Sequence, residues 1–210
     1  MTLEQFEDLV LSQKPAEVPW EPVTDYSFEA RKAIEGPHPQ LIKDVFDPTR
    51  AFDVGCGPGH LVRMLRSLGI DCDGFDKDAN SLLKHRHCHK GDITSFGGYQ
   101  MLLRWDGPRE LVICREVLEH MTLRQIRKAV TNLCALSSRY VYVTTRFHPN
   151  PASLFDVATS DGLDPTHISM LNQDFLRVLF VLEGFKRRAD LEERLDWQQK
   201  HRVLVYERAH

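Results

Sequence analysis

Between Phe52 and Leu61 the chain reads FDVGCGPGHL, and no other stretch restricts its fold as much. Gly55, Gly57 and Gly59 fall within five residues, after the apolar run RAFDV and before a helical pattern that starts at His60. Glycine weakens strands and helices alike, so a cluster between them needs a reason. A tight strand-to-helix turn demands backbone angles that other residues adopt only at a cost. Bare backbone also lets a ligand come close, and the free N–H groups of the next helix point at it. A plain turn needs fewer glycines. The segment predicts a strand, a ligand-cradling loop and a helix, the opening unit of an α/β sheet.

The alternation continues down the chain. IDCDGFD, RHCHKGD, ELVIC and YVYVTT read as further strands, the last two rich in apolar, β-branched and aromatic residues. His60 to Leu68 reads as a helix with Leu61, Leu65 and Leu68 on one face, stopped by Gly69. A short helix is expected around Asp78–Leu83, and a longer one at Leu123–Leu136 with Leu123, Ile126, Val130 and Leu133 in register. Another covers Asn172–Leu182, with Asn172 as N-cap and Gly184 as terminator. FKRRAD and HRVLVYE read as two last strands. Upstream, residues 1–13 form a helix with Leu3, Phe6, Leu9 and Val10 on one face; KPAEVPWEP is a linker, and a helical piece over about 26–46 is interrupted near Gly36–Pro37. The expected architecture is α/β: a single doubly wound domain over 47–210, mostly parallel, with a helical N-terminal cap over 1–46. Ligands of such sheets bind beyond the carboxyl ends of the strands, where the strand order reverses.

Composition narrows the class. Hydrophobic residues at 42% of 210 supply a sizeable core and exclude a disordered chain. A net charge of -3 gives no sign of a non-specific nucleic-acid binder, while a specific nucleic-acid partner stays open. No apolar run approaches the roughly 20 residues that cross a bilayer, and the acidic N-terminus lacks the pattern of a secretory signal. Five dispersed cysteines without a CxxC pair point to a reducing compartment, so a cytoplasmic location is expected.

Spacing decides the ligand of the glycine loop. A dinucleotide site needs G-x-G-x-x-G, and here His60 stands in the third-glycine place, which disfavours a dehydrogenase. G-x-G-x-G after an acid resembles motif I of the class I S-adenosylmethionine (SAM)-dependent methyltransferases. The resemblance implies a Rossmann-like, seven-stranded sheet in the order 3-2-1-4-5-7-6, with one antiparallel strand. It implies that the loop, with Gly55, Cys56, Gly57 and Gly59, faces the methionine part of SAM, with Asp53 near its amino group. Asp76, 21 residues after Gly55, matches the ribose-binding acid, with Lys77 beside it; the other role open to Asp76 is capping the next helix. Asp92 in GDIT matches the acid that accepts from the adenine amino group, with Ile93 on the ring; the other reading is a turn aspartate. LVICREVLEHM resembles a segment of the branch that contains the ubiquinone-biosynthesis O-methyltransferases, where Cys114 and Arg115 would edge the cofactor site. Two features depart from the pattern. LSSRY replaces a PGG turn before strand five, and strand three is polar, as an edge strand tolerates. His85, His87 and His89 on that strand are read as ordinary surface histidines.

The acceptor side lies beyond strands four and five, where the chain offers Glu116, Glu119, His120, Arg146, His148 and His167. The loop RFHPNPASLFDVATSDGLDPTHISM is long and punctuated by prolines, as binding surfaces and lids are. In the favoured reading no metal is used, and a histidine among His120, His148 and His167 acts as general base toward an oxygen or nitrogen of a small-molecule or nucleotide-like acceptor. In the second, Glu116, Glu119, His120 and His167 hold a divalent metal, in a pattern that resembles the small-RNA 3′-end 2′-O-methyltransferases. A third makes the chain a non-catalytic SAM-binding partner subunit.

Overall fold

The structure, a computed structural model, describes residues 2–14, 28–77, 86–95, 106–148, 150, 155–156 and 166–209. Most of the expected linker, the short helix at Asp78–Leu83, His85 and most of residues 149–165 of the long loop lie outside the described residues. Helices α1 (Leu3–Ser12), α2 (Phe28–Glu35) and α3 (His38–Phe46) precede strand β1 (Arg50–Val54), helix α4 (His60–Ser67), β2 (Asp71–Asp76), β3 (Cys88–Lys90) and β4 (Arg109–Arg115). A 3-10 turn at Leu118–His120 leads to α5 (Leu123–Leu136) and β5 (Ser137–Thr144). Then come β6 (Phe155–Asp156), β7 (Met170–Leu171), α6 (Gln173–Leu182), β8 (Phe185–Arg187), α7 (Ala189–Leu195) and β9 (Val203–Arg208). Seven strands form one sheet in the order β3-β2-β1-β4-β5-β9-β8. All pairs are parallel except those of β9, which runs antiparallel to both β5 and β8.

Alternation along the central strands feeds two apolar layers. Val112 and Cys114 of β4 face a layer that contains Ile126, Val130 and Leu133 of α5 and Leu176 and Phe180 of α6. Leu111 and Ile113 face the other, with Ile42 and Phe46 of α3, Leu61, Val62 and Leu65 of α4, and Leu191 and Leu195 of α7. Burial on both faces explains why Leu111–Cys114 is apolar throughout and not alternating. The polar third strand is at the edge of the sheet formed by the described strands, where charge is tolerated.

Most expected elements appear within a residue or two. The break at Gly36–Pro37 separates α2 from α3, with Gly36 at φ +50°. Thr122 and Gln125 close a reciprocal capping box at the start of α5, and Asn172 caps α6 through Asp174 N. The tail differs. FKRRAD stops being a strand at Arg187, and Ala189–Leu195 is a helix. Leu191 and Leu195, four residues apart, bury one face of that seven-residue helix against α3, a pattern too short to read ahead of its packing. The LSSRY segment forms no separate turn: α5 ends at Leu136, and Ser137 both caps it and opens β5. Of Leu3, Phe6, Leu9 and Val10, the last three pack on the core while Leu3 is 73% exposed.

Candidate active site

The strand order reverses between β1 and β4, and the glycine loop leaves β1 at that point. Gly55 N and Cys56 N both donate to Phe75 O, at 2.8 and 3.2 Å, which ties the loop to β2. Gly55 has φ +76°, and a Cβ there would collide with Val117. Gly57 has φ +49°, and nothing lies within 4 Å of where its Cβ would be. The first glycine is thus required by a packed neighbour; the second leaves backbone bare toward open space, as a bound ligand needs. Cys56 is buried under the loop against Val62 and Gly74, away from that space.

The acids around the loop differ in their duties. Asp53 is buried, and its carboxyl is pushed up to about 7, first by desolvation; Arg115 opposes this, while Glu35 and Asp76 add to it. Asp76 Oδ2 accepts from Gly57 N at 2.9 Å, so this acid holds the loop from the end of β2. Lys77 follows it and is exposed. Asp92 Oδ1 accepts from Thr94 N and Oγ1, both at 2.8 Å, an Asx turn of the kind the alternative reading named. Ile93 is 4% exposed and joins the core layer with Phe75 and Leu133, which leaves little of it for an adenine ring.

Arg115, at the end of β4, makes a two-pronged ion pair with Glu35 of α2, at 2.9 and 3.2 Å. Glu35 also meets His38 Nδ1 at 3.0 Å, and His38 Nε2 meets Tyr142 Oη at 2.7 Å. The chain Arg115–Glu35–His38–Tyr142 fastens α2 and α3 to β4 and β5. At the other end of α2, Phe28 lies under the Arg63 guanidinium, 3.8 Å from its ring centre, and against His60. Arg31 lies 3.4 Å from Glu35 on the same helix. No local pattern in the sequence marks Glu35 or His38, because their partners lie 80 and 104 residues away.

Beyond β4 the backbone kinks at Glu116, a non-glycine residue at φ +51° whose N–H still pairs with Thr144 O. That kink turns Glu119 inward. Glu119 is fully buried; Oε2 accepts from Thr145 Oγ1 at 2.9 Å, and Oε1 accepts no hydrogen bond among the described residues. Burial pushes its carboxyl well above the usual range, and nearby Glu116 pushes it further. Ligand atoms of Glu119, His120 and His167 all lie within 4.8 Å of one another, and the two imidazole centres are 4.8 Å apart. His120 Nδ1 is engaged by Thr166, 2.8 Å from Oγ1 and 3.2 Å from the carbonyl, a contact that fixes the orientation of the ring. Glu116 itself is 43% exposed and 3.7 Å from Arg202. His148 is not one of the three that converge; its Nδ1 accepts from Asn150 N, and its own N–H pairs with Leu171 O. Sequence inspection finds neither Thr145 nor Thr166, since a lone threonine carries no signal of its partner.

Comparison with known proteins follows the same lines. A family model described as "Methyltransferase domain" matches residues 27–189. No curated protein matches the chain at a significant level. Among solved structures, a SAM-dependent methyltransferase from Archaeoglobus fulgidus is similar at TM-score 0.61 and 16% identity, over 87% of this chain and 95% of that one. Magnesium protoporphyrin IX methyltransferase from Synechocystis, solved with SAM, is similar at TM-score 0.56 and 16% identity, over 90% and 87%. An amino pentose methyltransferase from Micromonospora echinaspora, solved with SAM, is similar at TM-score 0.59 and 15% identity, over 91% and 100%. Identities this low speak for the shared fold.

Proposed function

The chain belongs to the methyltransferase-domain family, and from that premise we propose that it methylates an oxygen of a small-molecule acceptor with SAM, assisted by a divalent cation at Glu119, His120 and His167. The observation that carries the cation is the buried Glu119 carboxyl, whose Oε1 meets no donor among the described residues while two imidazoles and a second acid stand beside it. Without a ligand the raised pKa keeps this carboxyl protonated; a cation taking the proton's place would meet the ionised form, which burial otherwise disfavours. One carboxylate and two imidazoles suit manganese, cobalt or zinc better than the all-oxygen sites of calcium. A cation there supplies Lewis acidity that lowers the pKa of an acceptor hydroxyl. The chain's own residues do the rest. The glycine loop and Asp76 cradle SAM, Asp53 stands by its ammonium, and Thr166 fixes the His120 ring through Nδ1.

Small acceptors fit the relatives' printed substrates, a porphyrin and an amino pentose, and a net charge of -3 does not favour a polyanion. The favoured chemistry of the sequence, a general base among His120, His148 and His167, needs no cation. A chelator separates the two. Methyl transfer is assayed across sugars, vicinal diols and ortho-hydroxylated rings, with and without EDTA. Loss of turnover in EDTA with recovery on manganese or cobalt is expected, and calorimetric SAM binding should be untouched. Turnover indifferent to EDTA would overturn the cation and restore the histidine base.

A further inference from the structure

We propose that Gln13, at the end of α1, is a positioning residue for the acceptor side: its amide pins the loop that carries His167 to the segment that carries Glu119 and His120. This rests on the three-residue site proposed above. Nε2 of Gln13 donates to Ile168 O at 3.2 Å and to Ser169 Oγ at 2.8 Å. Its Oε1 accepts from Leu123 N at 2.8 Å, one of the helix-start donors that have no partner within α5. The two segments it joins also meet directly. Glu119 O accepts from Ile168 N and Ser169 N at 2.9 and 3.0 Å, and Ser169 Oγ donates to Met121 O at 2.6 Å. Gln13 is the third member of this junction, one residue from His167 on one side and three from His120 on the other. Both N–H groups and the oxygen are in use, a combination that glutamate and leucine cannot reproduce. α1 contains no buried residue, so it is held by partly buried Phe6, Leu9 and Val10 together with this amide. The cofactor side, built on β1, β2 and α2, is reached by none of these bonds. Loss of the amide therefore loosens His167 relative to Glu119 and His120 and leaves the SAM cradle as it was.

The test uses the full chain, cobalt(II) followed by its visible absorption as the probe of the acceptor side, and SAM calorimetry as the probe of the cofactor side. Gln13→Leu keeps the volume and removes every hydrogen bond. Gln13→Glu keeps only the acceptor and sets an anion against Ile168 O. Both are expected to weaken cobalt binding about tenfold or more, the range for residues that orient ligands indirectly, with SAM affinity unchanged. Leu11→Ala, 70% exposed on the same helix, is expected to change neither. Wild-type cobalt affinity in both Gln13 variants would overturn the inference, as would parallel loss of SAM binding, which marks a general stability role. If the wild-type protein takes up no cobalt, the cation proposal fails by itself. Gln13 is then judged on the imidazole NMR signals of His120 and His167: displacement in Gln13→Leu is expected, and unmoved signals overturn the inference.

Discussion

Asp53 shows how far one residue's chemistry depends on what sits beside it. Its folded carboxyl titrates at about 7 against an ordinary 3.8. A raised carboxyl favours the protonated form in the fold, so its contribution to stability is full below about pH 4 and is lost as pH climbs toward 7. The shift corresponds to at most about 4 kcal/mol. Asp53→Asn should therefore raise the urea midpoint of the ligand-free protein at pH 8 and hardly move it at pH 4. An ammonium beside Asp53 favours the ionised form, so SAM binding near pH ~6.5 should release a proton. Calorimetry in buffers of different ionisation heat reads that proton, and the Asn variant should not release it. Asp76 accepts from Gly57 N and is proposed to hold the ribose as well. Asp76→Ala should weaken SAM binding by about 2–4 kcal/mol, measured by the same calorimetry; an unchanged affinity would remove it from the site. The acidity and spacing of both residues were legible in the sequence. The grip of Asp76 on the glycine loop was not, because it joins two strands that only the sheet brings side by side.

At the scale of elements, α2 and α3 are fastened to β4 and β5 by a buried polar chain. Glu35 lies well below the usual carboxylate range: burial raises it, but Arg115 and His38 together outweigh that. Its contribution to stability is present above pH 4.5 and is lost in stronger acid. Glu35→Ala strands the half-buried Arg115 guanidinium and should cost about 2–3 kcal/mol, whereas Tyr142→Phe should cost about 1 kcal/mol. Urea unfolding of both variants checks the order, and equal costs would mean that His38 and Tyr142 carry the attachment. Helices with two or more turns and a clear cap, such as α5 and α6, were legible in advance because periodicity and capping are local. Helix α7 was not, since seven residues hold too little periodicity and its reason to be helical is the surface of α3.

For the molecule as a whole, a ligand that binds only the folded state raises its stability by mass action. SAM at a hundred times its dissociation constant should add about 2.7 kcal/mol, or roughly 5–10 °C in Tm for a chain of this size. NAD should add nothing measurable, and thermal scans with each ligand check this. What the sequence by itself determined is the layered α/β plan: apolar runs, amphipathic stripes, caps and the G-x-G-x-G turn all act over a few residues, so they can be read where they stand. Which side chains form the acceptor side was decided by tertiary structure. His120 meets Thr166 across 46 residues and Gln13 meets Ser169 across 156. Such contacts follow from strand order and helix packing, which leave no spacing in the chain to read.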